Sequence, residues 1–332
     1  MQLQERKELM VRLGEYMKGS AEDWQVAKRK AHAENNWFIA EFVDRAAQTV
    51  ADNYLTAAAL DQLISNYQLV NVQTQPKKVG IVMAGNIPLV GFHDLLCTFL
   101  VGHIAVVKPS SKDTSLMKQL LTTLVSWNAG VGNFIILQDL LKGCDAYIAT
   151  GSNNTGRYFE YYFGKYPHII RKNRTSVAIL SGTETPQALE KLADDVHLYF
   201  GLGCRNVTQL YVPHNYDFVP LLNAFRKYDY LINHNKYKNN YDHNLAMHIL
   251  NNKRYMTNGS ILLIEDPSPF SPIAQVHFSY YDDKEEIRKN LHDNQAIQCI
   301  VDDETAAFGS AQQPQLCEFA DGVDTINFLQ TL

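Results

Sequence analysis

KVGIVMAGNIPLVGFHDLLCTFLVGHIAVVKPSSKD, residues 78–113, decides the fold class. Two short apolar runs, KVGIVMAG (78–85) and HIAVVKP (103–109), read as strands. Asn86-Ile87-Pro88 supplies a turn after the first, and a helix fits 91–101 between them. The alternation continues with a helix over 112–127 and strands at NFIILQ (133–138) and DAYIATG (145–151). Strands alternating with helices of this length form βαβ units, so the spacing predicts an α/β fold on a largely parallel, doubly wound sheet. Upstream, Leu9, Leu13, Tyr16 and Met17 recur at helical spacing, as do Phe38, Phe42, Ala46, Val50 and Leu55. No Pro or Gly interrupts 21–75, which therefore reads as helices. Downstream, VAIL (177–180) and TQLYVP (208–213) read as strands around a helix at 185–200. The stretch 260–278 reads as strand, Pro-rich turn, strand. The tract 230–244, dense in Asn, Tyr, Lys and His, reads as a polar loop or a helix rim.

Composition narrows the function classes. The chain has 332 residues, 46% hydrophobic and 20% charged, which excludes a wholly disordered polymer. A net charge of −5 argues against a general nucleic-acid surface. Gly102-His103 and Lys108 interrupt the best apolar run, so no membrane span is expected. The N-terminus has no signal-peptide apolar core, and a cytoplasmic location is the expectation. Five cysteines, odd in number and without a CxxC pair, argue against a disulfide framework or a zinc site. His234, Asp242, His243 and His248 do not match a metal-ligand spacing, and no metal is expected.

Four strings can carry chemistry. Cys204 stands in GLGCRN, where Gly201 and Gly203 leave it unshielded and Arg205 favours the thiolate. It reads either as a buried small hydrophobe or as a nucleophile. Asn86 follows the first strand at the carboxyl edge of the sheet, where its amide serves either a turn or a developing oxyanion. Lys108, Ser110 and Ser111 close the second strand with groups suited to ribose hydroxyls or phosphate, or simply face solvent. ATGSNNTG (149–156) places Gly151 and Ser152 between a strand and a helix, a turn that aims a helix N-terminus at phosphate.

In order, AGNIPLVGFHDLLCTFLVGHIAVVKPSSKD (84–113), IATGSNNTG (148–156) and GLGCRNVTQLYVP (201–213) resemble the aldehyde dehydrogenase superfamily, and most of all its acyl-CoA reductase branch. The resemblance implies a Rossmann-like cofactor domain over 76–180 and an α/β catalytic domain over 181–310. A helical segment (1–75) precedes them and a tail (311–332) follows. It implies Cys204 as the acyl-accepting nucleophile and Asn86 as the amide sharing an oxyanion hole with the cysteine N–H. It places Lys108, Ser110 and Ser111 at the adenosine ribose, and Gly151 and Ser152 at the pyrophosphate. It implies an acyl-CoA or other acyl thioester as substrate, NADPH as cofactor with NADH as the alternative, and a homo-oligomer as a possible assembly.

Two departures sharpen the expectation. Where hydrolytic members carry a Glu in an ELGGK-like string, this chain has IIRKNRTSVAIL (169–180), basic and without a carboxylate. Without that base, activation of water on a thioester is handicapped, which favours thioester reduction over aldehyde oxidation to acid. In SPFSPI (268–273), Ser268 stands where dehydrogenases often hold the nicotinamide ribose with Glu. Aldehyde oxidation and a non-catalytic scaffold role are the competing readings.

Overall fold

Four helices open the chain: α1 Leu3–Lys18, α2 Glu22–Glu34, α3 Ala40–Asn53 and α4 Ala57–Asn66. Their apolar stripes bury Leu9, Leu13 and Met17 of α1 and Phe42, Val43, Ala46 and Val50 of α3. The computed structural model, which describes residues 1–151 and 153–332, then alternates strand and helix. The order is β1 Lys78–Val82, α5 Phe92–Val101, β2 Ile104–Lys108, α6 Thr114–Trp127, β3 Ile135–Leu137, β4 Ala146–Thr150, α7 Asn153–Phe163 and β5 His168–Arg171. The five strands are parallel in the order β3-β2-β1-β4-β5. The doubly wound α/β sheet expected from 78–113 is therefore present. The chain winds from β1 outward to β3, then restarts on the other side of β1 with β4. An open α/β sheet leaves a ligand crevice at the carboxyl ends where the winding reverses.

A second sheet follows, from β6 Thr175–Ile179, α8 Pro186–His197, β7 Val207–Pro213, α9 Phe218–Phe225, α10 Asn235–Leu250, β8 Met256–Thr257, β9 Leu262–Glu265, β10 Gln275–Tyr281, α11 Lys284–His292 and β11 Ile297–Val301. Its order is β11-β6-β7-β10-β9-β8, parallel apart from the antiparallel pair β8–β9. A last helix, α12 Thr325–Gln330, ends the chain. Contacts divide the protein into two units: Met1–Asn173 with Gln315–Leu332, and Arg174–Pro314.

In the first unit a single core joins Leu13, Trp24 and Phe38 of the helical segment to Val79 and Ile81 of β1 and Ile326 and Leu329 of α12. Helix α5 is buried at every position but His93. Its one acid, Asp94, meets Arg171 of β5 at 2.7 Å, and the same guanidinium donates to Thr325 Oγ1 and to the Ala320 carbonyl. Burial works against the Asp94 charge, and the Arg171 guanidinium overcomes it, holding the carboxyl below its ordinary range. Through Arg171 the C-terminal residues are tied to the sheet.

The tract 230–244 is helical for most of its length. His234 ends a 3₁₀ segment, Arg226–Asn233, and caps α10 by accepting from the Tyr237 N–H. Within α10 only Tyr237 and Tyr241, four residues apart, are buried. That stripe is too narrow to show as helical periodicity among so many polar neighbours.

Candidate active site

The first unit gathers five of the expected residues on one sheet edge. Lys108 ends β2, Asn86 lies four residues past the end of β1, and Gly151 follows β4 directly. Since β1 lies between β2 and β4, these positions surround the carboxyl end of the central strand. Ser152 lies outside the described residues. Ser110 and Ser111 open the turn between β2 and α6, and the two differ in orientation. Ser110 packs on Gly85, where an added Cβ would stand 2.4 Å from its Oγ, so only glycine admits this approach. Ser111 is exposed, as are Lys108 and Lys112.

Asp113, which sequence reading passed over, locks this edge together. It precedes α6 at the capping position, yet its side chain makes no cap to its own helix. Instead Asp113 Oδ2 accepts the Leu89 N–H at 2.7 Å, joining the turn between β2 and α6 to the loop that carries Asn86. Leu89 is held in the left-handed region (φ 59°), uncommon for a residue with a branched side chain. Asp113 is 3% exposed. Burial pushes its carboxyl up to about 7 against the Leu89 hydrogen bond, and the Glu34 charge adds to the rise.

The second unit carries Cys204, half-buried in the turn between α8 and β7. The approach to this turn is unusual. Tyr199, Phe200 and Gly201 lie consecutively in the left-handed region, with φ of 55°, 58° and 73°. For Tyr and Phe this conformation costs roughly 1–2 kcal/mol each. Both rings are buried. The turn is also stitched by Asn206, which is fully buried. Asn206 Oδ1 accepts the Gly203 N–H at 2.8 Å. Its Nδ2 donates to the carbonyls of Leu198 (2.8 Å), Asp195 (3.0 Å) and Val196 (3.3 Å). Ser176 of β6 donates from Oγ to the Cys204 carbonyl at 3.0 Å.

Three further groups belong to this surrounding. Cys299 Sγ lies 3.0 Å from Ser176 Oγ; burial pushes its thiol up, against the Ser176 hydrogen bond and the Arg205 charge. Asp195 accepts the N–H groups of Gly309 (2.6 Å) and Ala311 (3.0 Å), and burial still pushes it up to about 7. The loop between β9 and β10 carries Ser268, whose carbonyl is 2.8 Å from His277 Nδ1. The next carbonyl, Pro269, accepts from Thr208 Oγ1 at the start of β7. Ser268 is thereby brought to the end of β7 that Cys204 precedes.

The stretch 169–180 contributes no carboxylate here either. Arg171 is committed to Asp94, Arg174 donates to the Ile297 carbonyl, and 175–179 is the buried strand β6. Among the described residues no group of three or more His, Cys, Asp or Glu side chains can hold a metal ion. No helix among them is long and apolar enough to cross a membrane.

A profile of the family described as acyl-CoA reductase (LuxC) matches residues 48–218, just over half of the chain. No curated protein matches. Among solved structures, the chain is similar to P. syringae AldA, an indole-3-acetaldehyde dehydrogenase solved with NAD+ and IAA. The two are 14% identical with a TM-score of 0.67, over 91% of this chain and 72% of that one. An E. coli NADP dependent enzyme gives 13% and 0.67, over 91% and 73%. Succinic semialdehyde dehydrogenase from Streptococcus pyogenes, in complex with NADP+, gives 13% and 0.65, over 90% and 76%. The fold is that of the aldehyde dehydrogenases.

Proposed function

The chain belongs to the acyl-CoA reductase (LuxC) family, and on that premise we propose that it reduces an acyl-CoA or related acyl thioester to the aldehyde through an acyl-enzyme on Cys204. The observation that carries the reading is the Cys204 turn: a half-buried thiol held in a strained, hydrogen-bonded loop at the start of a buried strand. The thiolate attacks the thioester carbonyl, the C–S bond to CoA breaks, and CoA leaves as its thiolate. On the resemblance alone, the Asn86 amide is assigned to the developing oxyanion, a contribution of about 2.7–4 kcal/mol for one such donor. After reduction of the acyl carbon, the thiohemiacetal on Cys204 collapses, releasing aldehyde and restoring the thiolate. No step requires a base that activates water, in keeping with the absence of a carboxylate from 169–180.

A bound nicotinamide nucleotide supplies the hydride. The residues at the first unit's sheet edge fit it: the Gly85–Ser110 contact brings backbone close beneath the edge, and Gly151 lies between β4 and the start of α7. Lys108 and Ser111 are assigned to the adenosine ribose. The exposed Ser111, flanked by exposed Lys108 and Lys112, favours the 2′-phosphate of NADPH, since the one acid of this turn, Asp113, faces inward to Leu89.

Intact-mass measurement after mixing with acyl-CoA tests the reading. An acyl adduct on the wild type that Cys204→Ala lacks is the expected result. Turnover retained by Cys204→Ala refutes the mechanism. Acid formed only from aldehyde and oxidised cofactor supports the dehydrogenase reading, and no adduct with either substrate supports a scaffold.

A further inference from the structure

We propose that Asn206 and Ser176 are positioning residues for Cys204, which fix the turn so that its thiol is presented in one geometry. The inference rests on the reading of Cys204 as the nucleophile and names what holds it. Two observations carry it independently. The first is backbone strain: Tyr199 and Phe200 occupy left-handed conformations that their side chains disfavour, immediately before the Gly201–Cys204 turn. A link between a helix and a strand has no need of such a conformation. The second is the economy of the Asn206 amide. It is fully buried, and both its polar atoms are spent on the backbone around the turn. Its Nδ2 gathers the carbonyls of residues 195, 196 and 198, at the end of α8 and just beyond it, while its Oδ1 holds the N–H of Gly203. The left-handed residues are closed between these two points.

Ser176 completes the arrangement from the neighbouring strand. Its Oγ donates to the Cys204 carbonyl and receives the Cys299 N–H at 3.2 Å. The peptide that follows Cys204 is thus pinned to β6, while the peptide that precedes it is bounded by Gly203 and the Asn206 amide. Neither side chain is asked to touch the substrate. Both act through the backbone on either side of the thiol, and misplacement of a reacting atom by about 1 Å costs on the order of 10²-fold in rate.

The test is single-turnover acylation of the full chain by acyl-CoA, followed by intact mass, for wild type, Asn206→Ala and Ser176→Ala. The expected result is a rate constant about 10²-fold lower in Asn206→Ala and roughly tenfold lower in Ser176→Ala, where the one hydrogen bond to the Cys204 carbonyl is lost along with those from Cys299. The acyl-CoA concentration for half-maximal rate should stay within about threefold of wild type, since binding of the thioester is not what these residues govern. A merely structural role gives a different signature: fewer folded molecules lower the amplitude of the adduct and leave the rate constant intact, and that outcome overturns the proposal. If Asn206→Ala does not fold, Ser176→Ala decides by the same criterion. A wild type that forms adduct while both variants acylate at its rate refutes the positioning role alone. A wild type that forms no adduct removes the nucleophile itself, and the positioning role with it.

Discussion

Replacing Asp113 with Asn should stabilise the first unit at neutral and alkaline pH and leave it nearly unchanged in acid. The carboxyl is 3% exposed and is pushed from an ordinary 3.8 up to about 7 by burial, with only the Leu89 N–H opposing the shift. The folded chain therefore holds a proton that the unfolded chain releases between about pH 4 and pH 7. Stability from this group is full below the unfolded value, falls as pH rises through that window, and is level above it. About three pH decades at ~1.36 kcal/mol each amount to up to about 4 kcal/mol. Asparagine keeps an oxygen to accept from Leu89 and carries no charge. Among the described residues Asp113 Oδ1 has no hydrogen-bond partner, so an amide placed there meets the same surroundings as the protonated acid. The assay is urea unfolding followed by tryptophan fluorescence at pH 4.5 and pH 8. Its three reporters, Trp24, Trp37 and Trp127, all lie in the first unit. The Asn variant should lose most of the wild type's stability difference between the two pH values. An unchanged pH difference, or a variant less stable than wild type at pH 8, would show that Asp113 is ionised in the folded protein and refute the reasoning.

Asn86→Ala should lower turnover by about 10²–10³ with little change in thioester affinity, because the donor acts where charge develops; an affinity loss with turnover intact would mark Asn86 as a turn residue. The wild type should prefer NADPH, and Ser111→Glu should move the ratio of specificity constants toward NADH, since the new carboxylate repels a 2′-phosphate. A wild-type preference for NADH that this substitution leaves unchanged would remove Ser111 from the cofactor site. Arg171→Met should destabilise the first unit by about 3–5 kcal/mol, because it leaves Asp94 buried without its guanidinium. Tryptophan-monitored unfolding measures it, and a loss below about 1 kcal/mol would mean that Asp94 takes up a proton and tolerates the change.

The alternation of strand and helix from 78 to 151 was legible because each element there has its own signal. β1 and β2 centre on buried Val, Ile and Ala with Gly or Pro close by, and α5 is mostly apolar, ending at Gly102 (φ 93°). The elements that escaped lack such punctuation. β5 (His168–Arg171) is four residues long and begins and ends on charged or titratable side chains; its Arg171 reads as a surface base until Asp94, 77 positions away, is placed beside it. β11 (Ile297–Val301) carries Gln298 and Cys299 among its five residues, and α10 shows two buried tyrosines in sixteen positions.

The candidate site was legible to a different depth. Cys204, Asn86, Lys108 and Gly151 announce themselves as residue types beside glycine or at strand ends, and a string of that kind carries its own chemistry. What holds them does not. Asp113 stands where an Asp before a helix ordinarily caps its own first turn, so nothing local marks it as the acceptor for Leu89, 24 residues earlier. Asn206 stands beside Arg205 in the quoted string GLGCRN, yet its amide becomes informative only when three carbonyls from 195–198 converge on it. The strain at Tyr199 and Phe200 is invisible for the same reason: aromatic residues in sequence predict burial, and both rings are buried, but nothing in their identity marks a positive φ. Reactive groups are written in residue identity, whereas their orientation is written in backbone groups brought together by the fold. For this chain the supporting residues are therefore the sharper test: Cys204 can be nominated from six letters, but whether it is presented for attack depends on Asn206 and Ser176.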